Sequence, residues 1–175
     1  MNRTNSIFTF NFDTSMTIRH ALAKDFKGFY GINLQADIHH RLAVPSRFKE
    51  PTDVDYELFM FNRFSDFLAD EECIFLVAVE ENEVLGYLIA LVKQIPEYPI
   101  LIPRRYVMID NMGVHENARQ QGIGTLLLQK IEEEAKDAGF SELELNVYYF
   151  NEAAKKLYAK NDFEPMLYRM RKEIR

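Results

Sequence analysis

Apolar and polar positions recur along this chain with two different periods, and the switches between them mark out its elements. From Ile123 to Ala138, the residues Ile123, Leu127, Ile131, Ala135 and Ala138 repeat at helical spacing, while the Glu132-Glu133-Glu134 run and Lys136 face water. Gly139 follows as a left-handed stop. Leu143, Leu145 and Val147 then alternate with Glu142, Glu144 and Asn146, which predicts a strand. Cys73 to Glu80 is a nearly continuous apolar run with β-branched and aromatic residues. Glu81-Asn82 makes a turn and Val84 to Val92 a second strand, so the two read as a hairpin. Pro96, Pro99 and Pro103 stiffen the next loop, and Tyr106 to Val114 is another strand. Upstream, Met16 to Arg19 reads as a short strand. Asp25 can cap a helix to about Leu42, with Phe26, Phe29, Tyr30 and Ile38 roughly on one face. Pro45 and Pro51 bracket a loop, after which Thr52 or Asp53 opens a second helix with Tyr56, Phe59, Met60, Phe64, Phe67 and Leu68 as its stripe. Asn151 caps a short helix to about Lys160, and Met166 to Lys172 is read as a final strand.

The order predicts an α/β fold, with a central mixed β-sheet flanked by about four helices. Hairpin strands pair antiparallel, whereas the strand–helix–strand unit from Tyr106 to Tyr148 must be parallel. Residues 16–175 read as a single domain, and residues 1–15 as a leader or an extra edge strand.

Composition narrows the function classes. A length of 175 residues fits one domain, 47% hydrophobic residues suffice for a core, and 14 Phe with 9 Tyr supply large apolar area in the absence of Trp. The net charge of −6 argues against a nucleic-acid partner and mildly favours cationic ones. Cys73 is the only cysteine, so no intramolecular disulfide forms, and its apolar setting reads as buried. No apolar run nears the ~20 residues of a membrane span. The first residues lack a signal-peptide hydrophobic region. Cytoplasmic location without membrane association is the expectation.

The candidate chemistry centres on Arg119-Gln120-Gln121-Gly122-Ile123-Gly124, between a strand and a helix. Two glycines let the backbone turn tightly and approach a ligand. The unpaired N–H groups and the dipole at the helix start then suit an anion such as a pyrophosphate. A dinucleotide fingerprint fails because Leu127 takes the place of its third glycine, and no Gly-Lys-Ser/Thr phosphate loop is present. The adjacent His39 and His40 lack the four-residue spacing of a metal pair, so no metal is expected.

These residues resemble the GNAT acetyltransferases, whose signature Arg/Gln-x-x-Gly-x-Gly/Ala is matched by Arg119, Gly122 and Gly124. The preceding Met108 to His115 looks like the family's fourth strand. Asn151-x-x-Ala154-x-x-x-Tyr158, followed by Asp162-Phe163, resembles its ending, with Asp162 where the family usually has Gly. The likeness covers about Phe75 to Tyr168 well, and the first 70 residues only by element order. It implies the acyl-CoA N-acyltransferase fold, with acetyl-CoA as cosubstrate and the amine of a small molecule or peptide as acceptor. Backbone groups around Met112, Gly113 and Val114 would meet the pantetheine and thioester. Arg119, Gln120, Gln121, Gly122, Ile123, Gly124 and Thr125 would hold the pyrophosphate, with Asn151 and Ala154 near the pantetheine. Tyr158 would protonate the leaving thiolate, and Asp110 aligns with an acidic residue that many relatives carry.

Other readings stand beside these. Gly113 marks a bulge or simply packs closely. Tyr158 is a proton donor or half-buried core, and Asp110 a base or a solvated or salt-bridged strand carboxylate. Tyr148, Tyr149 and Phe150 wall an acceptor pocket or pack against the first helices. A non-catalytic acetyl-CoA-binding module is the alternative to an enzyme, and a homodimer stays open, dimers being common among relatives.

Overall fold

A run as apolar as Cys73–Glu80 has no face to give to water, and it lies in the middle of the sheet. The computed structural model describes residues 8–9, 16–51 and 54–174. In it β3 (Cys73–Glu80) pairs antiparallel with β2 (Thr17–His20) on one side and β4 (Glu83–Ile95) on the other. Glu81 and Asn82 join β3 to β4 with φ of 48° and 72°, the left-handed pair that a tight two-residue hairpin requires. The two-residue β1 (Phe8–Thr9) edges β2, β5 (Arg104–Val114) runs antiparallel to β4, and β6 (Leu143–Leu145) runs parallel to β5. The strand order is β1-β2-β3-β4-β5-β6. The expected hairpin and the parallel crossover are both present.

Each sheet face is closed by helices whose stripes match it. On one face α3 (Ile123–Asp137) lays Ile123, Leu127, Ile131 and Ala135 on Leu76, Ala78, Leu88, Ala90 and Val107. Gly139 ends this helix at φ 82°, the left-handed cap expected of it. On the other face α1 (Phe26–Ala43) and α2 (Val54–Ala69) pack Phe29, Ile32, Met60 and Phe64 on Phe75, Val77, Tyr87 and Ile89. Aromatic rings hold this layer, with Phe29 4.8 Å from Tyr87 and 5.3 Å from Phe64. A fourth helix, α4 (Glu152–Lys160), follows β6.

Five local expectations need correction. Asp25 stands before α1 but does not cap it. It is buried, takes both nitrogens of Arg19 at 2.7 and 2.9 Å, and accepts the Leu22 N–H at 2.8 Å. A bidentate guanidinium outcompetes a capping bond for the same oxygens. Ile38 and Phe59 are exposed rather than on the buried stripes, because each helix touches the sheet along a narrower band than its apolar residues cover. The strand that includes Leu143 stops at Leu145, short of Val147. Met166 to Lys172 forms no strand; Met166, Tyr168 and Met170 alternate correctly yet stand exposed, with no pairing strand among the described residues. Glu134, expected on a solvated face, is half-buried and paired with His20 and Lys130. The rest of the leader, and the helix opening at Thr52 or Asp53, lie outside the described residues.

Candidate active site

The sheet opens at a definable residue. β6 pairs with β5 only from Val107 to Ile109, whereas β4 follows β5 along its whole length. Opposite β4, Ile109 faces Ala90 and Asn111 faces Ile89, so Asp110 is an inserted residue without a partner. An inserted residue bends its strand and increases its twist. The bulge therefore coincides with the end of β6 pairing. Among the described residues, no strand covers the β6 side of β5 from Asp110 to Val114.

This places the bulge three residues before Gly113, where the sequence suggested it. Gly113 is in register opposite Tyr87. A Cβ there would stand 2.7 Å from Ile32 Cγ2 and 3.0 Å from Tyr87 Cε1. Its role is close packing of α1 on β5.

The loop after β5 leads into α3. The His115 N–H donates to Leu85 O at 2.8 Å, a short turn at Glu116–Ala118 follows, and Arg119 Nε returns to Val114 O at 3.2 Å. Gln121 Nε2 donates to Asn117 O at 3.1 Å. Gln120 and Gly122 take left-handed φ of 62° and 85°, which turns the chain into α3. The Leu126 N–H reaches Gly122 O at 3.1 Å as the first helical bond. The N–H groups of Ile123, Gly124 and Thr125 precede it and lie at the positive end of the helix. This arrangement suits an anion.

β5, α3 and α4 meet at Gly124. A Cβ on Gly124 would come within 3.2 Å of Met112 Cε and 2.9 Å of Leu157 Cδ2. Asn151 Oδ1 accepts the Ala154 N–H at 3.2 Å and caps α4. Tyr158 is half-buried beside this junction, edge-on to Phe163 at 5.8 Å, and burial raises its phenol above the ordinary tyrosine value. Asp110 Oδ2 lies 3.8 Å from Arg63 Nη2 on α2. The structure thus brings Met112 on β5, Gly124 on α3 and Leu157 on α4 together, with Arg119 on Val114 and Tyr158 next to Leu157, while Asn151 and Ala154 lie at the start of α4 and Asp110 at the bulge. Among the described residues no group of three or more His, Cys, Asp or Glu is arranged to hold a metal ion, and no helix is long and apolar enough to cross a membrane.

The model of the GNAT acetyltransferase family matches residues 36–163. The chain belongs to the GNAT family. It is 30% identical over 152 residues to an N-alpha-acetyltransferase of Sulfurisphaera tokodaii, a match covering 84% of this chain and 79% of that protein. It is also 35% identical over 74 residues to YdgE, an uncharacterized N-acetyltransferase of Bacillus subtilis. That match covers 42% of this chain and 47% of YdgE, about half of that relative's length. A crystal structure of a point mutant of the BH1408 protein from Bacillus halodurans superposes with a TM-score of 0.82 at 27% identity, covering 90% of this chain and 98% of that one. This GNAT chain is accordingly an acetyl-CoA-dependent acetyltransferase with the GNAT fold.

Sequence reasoning missed a polar network under the bulge of this GNAT chain. Asn33, buried on α1, accepts from the Tyr87 hydroxyl at 3.0 Å and from Asn111 Nδ2 at 3.1 Å. Its own Nδ2 donates to Asp37 Oδ2 at 2.9 Å and to the Tyr56 hydroxyl at 3.0 Å. Tyr56 in turn donates to Asp37 Oδ2. The available signal was Asn33 itself, a polar residue next to Ile32 on the buried face. One turn on, His40 stacks on Phe48 at 5.4 Å and meets Tyr148 at 5.2 Å. Phe150 lies 5.8 Å from both His39 and His40, so the two adjacent rings converge on one residue. Tyr148 and Phe150 make ring contacts with the first helix and its loop, although Tyr148, like Tyr149, is exposed. Burial lowers the His40 pKa and favours its neutral form.

Proposed function

We propose that this enzyme binds acetyl-CoA in the split between β5 and β6 and transfers the acetyl group directly to an amine of a small molecule or peptide. The observation that carries this reading is the loss of β6 pairing at Asp110, on the strand whose exit loop makes the left-handed turn into α3. The N–H groups of Gln120 to Thr125 hold the pyrophosphate. Backbone groups of Met112 to Val114 receive the pantetheine and polarise the thioester carbonyl, as an oxyanion site does. Asn151 and Ala154 serve the cofactor side mainly by fixing the start of α4.

An alkylammonium of pKa ~10.4 must lose a proton before it attacks, and Asp110 accepts it directly or through a water. The amine nitrogen then bonds to the carbonyl carbon, the C–S bond breaks, and the second proton shed by the new amide nitrogen passes through water to restore the Tyr158 phenol after that group has protonated the thiolate. The departing thiolate takes its proton from Tyr158, whose raised pKa keeps it protonated at neutral pH. No acyl-enzyme is required. Residues 16–175 act as one catalytic domain, and the cytoplasm is the proposed location.

The test is release of free thiol from acetyl-CoA against a panel of primary amines. Amine-dependent release supports the reading. Tight acetyl-CoA binding without turnover on any amine favours a non-catalytic binding module.

A further inference from the structure

The polar network under β5 has a direction. Asp37 is acceptor-only when ionised, so the Asn33 amide must present its Nδ2 to Asp37 and its Oδ1 to Asn111 and Tyr87. Tyr56 is also fixed as a donor to Asp37, since burial and the neighbouring carboxylate raise its pKa far above the ordinary phenol value. Both bonds end on Oδ2. Among the described residues, Asp37 Oδ1 accepts no hydrogen bond, and no Lys or Arg nitrogen pairs with Asp37. The guanidiniums carried by the two helices face other carboxylates, Arg63 on α2 facing Asp110 at 3.8 Å and Arg41 on α1 facing Glu50 at 3.9 Å.

Asp37 is thus a half-buried carboxylate with one oxygen locked by two donors and the other open to a cationic ligand. Asp37 is linked through the single Asn33 amide to Asn111, the residue next to the bulge. It is therefore on the face of β5 toward which Asp110 also turns, the α1/α2 face. The rings of His40, Phe48 and Tyr148 follow one turn along α1 and offer π-faces to an alkylammonium. The overall charge of −6 draws cations toward such a site.

We propose that Asp37 binds a second cationic group of the acceptor, and that the enzyme's acceptors are polycationic amines. This rests on the reading of the split as the transfer site. One amine is acetylated at the bulge while another, still protonated, bridges to Asp37 Oδ1. Asn33 and Tyr56 are positioning residues that hold the carboxylate for it.

Thiol-release kinetics on the full chain with 1,5-diaminopentane and n-pentylamine test this. The wild type should favour the diamine in kcat/KM by about tenfold or more, mainly through KM, as one ion pair in a partly desolvated site allows. Asp37→Asn should remove that preference and leave the KM for acetyl-CoA unchanged, and Asp37→Glu should restore part of it. Thermal unfolding checks that the variants fold; if Asp37→Asn does not, Tyr56→Phe, which removes one donor and keeps the ring, should weaken the preference. The proposal is overturned if Asp37→Asn retains the preference. It is also overturned if the variant lowers kcat equally for both amines with a displaced pH profile, which marks a base. If no amine supports turnover, the transfer reading fails separately. Calorimetric titration of the diamine into wild type and Asp37→Asn, with coenzyme A present, then decides: binding lost in the variant supports the proposal, and equal or absent binding overturns it.

Discussion

Gly124 in the first turn of α3 lies against Leu157 on α4, close enough that a Cβ on Gly124 would stand 2.9 Å from Leu157 Cδ2. The helix that presents N–H groups to the proposed pyrophosphate site thus sets the position of the helix that carries Tyr158. Gly122, two residues earlier, has open space around it but a φ of 85°. The two glycines of the motif are needed for different reasons, and substitutions should separate them. Gly124→Ala meets the flexible ends of Leu157 and Met112 and should lower stability by about 1 kcal/mol, read from thermal unfolding. Gly122→Val should leave the fold intact but weaken acetyl-CoA binding by at least tenfold, about 1.4 kcal/mol. Unchanged calorimetric affinity in a folded Gly122→Val protein removes the loop from the site.

Tyr158→Phe should preserve folding and acetyl-CoA affinity while lowering turnover by about 10²-fold or more. Burial raises the Tyr158 pKa, so its proton-donating form persists through the ordinary tyrosine value of ~10. Any alkaline loss of turnover from this group should therefore fall above that value. Cys73, buried at the start of β3, belongs to the core, and Cys73→Ser should leave turnover largely intact. Near-normal rates in Tyr158→Phe together with a dead Cys73→Ser would replace direct transfer by a route through the thiol.

What was legible in the sequence was local. The glycines on either side of Ile123, the cap at Asn151 and the β3–β4 turn each depend on a few neighbouring residues, and each appears where the pattern placed it. What escaped depends on partners far along the chain. Gly113 announced a close approach, but that its neighbour is Ile32 on α1 is a matter of packing between distant segments. The bulge at Asp110 is visible only in the register with β4. Asn33, Asp37, Tyr56, Tyr87 and Asn111 meet from four different elements, and no spacing rule links them. Met166, Tyr168 and Met170 alternate like a strand, yet alternation does not supply a pairing edge.

Asp110 occupies the inserted position of the bulge and has Arg63 as its ion-pair partner at 3.8 Å. As the proposed base, Asp110→Asn should lower turnover by about 10²–10⁴-fold with cofactor affinity nearly constant. Steady-state rates across pH 6–9 check this. Full activity over that range assigns the proton to a water chain or a backbone carbonyl.

Asp25 gives a stability prediction independent of catalysis. Burial alone would raise its pKa, but the Arg19 guanidinium and the Leu22 N–H outweigh it and hold the carboxyl below its usual value. A depressed folded pKa stabilises the fold above the unfolded value of ~3.9, and this contribution is lost as pH falls through the folded value. Asp25→Asn should cost about 2 kcal/mol near neutrality, and the gap to the wild type should narrow toward pH 3. Urea midpoints from pH 7 to pH 3 measure it; a gap that stays constant with pH rules out the ion pair as its source.

The most direct test of the account is a crystal structure of the full chain with acetyl-CoA bound. The account predicts pyrophosphate oxygens within hydrogen-bond reach, about 2.7–3.2 Å, of N–H groups between Gln120 and Thr125. It also predicts the thioester beside Met112 to Val114 with the Tyr158 hydroxyl facing its sulfur. A pyrophosphate bound away from the start of α3, or a thioester outside the split that opens at Asp110, would contradict it.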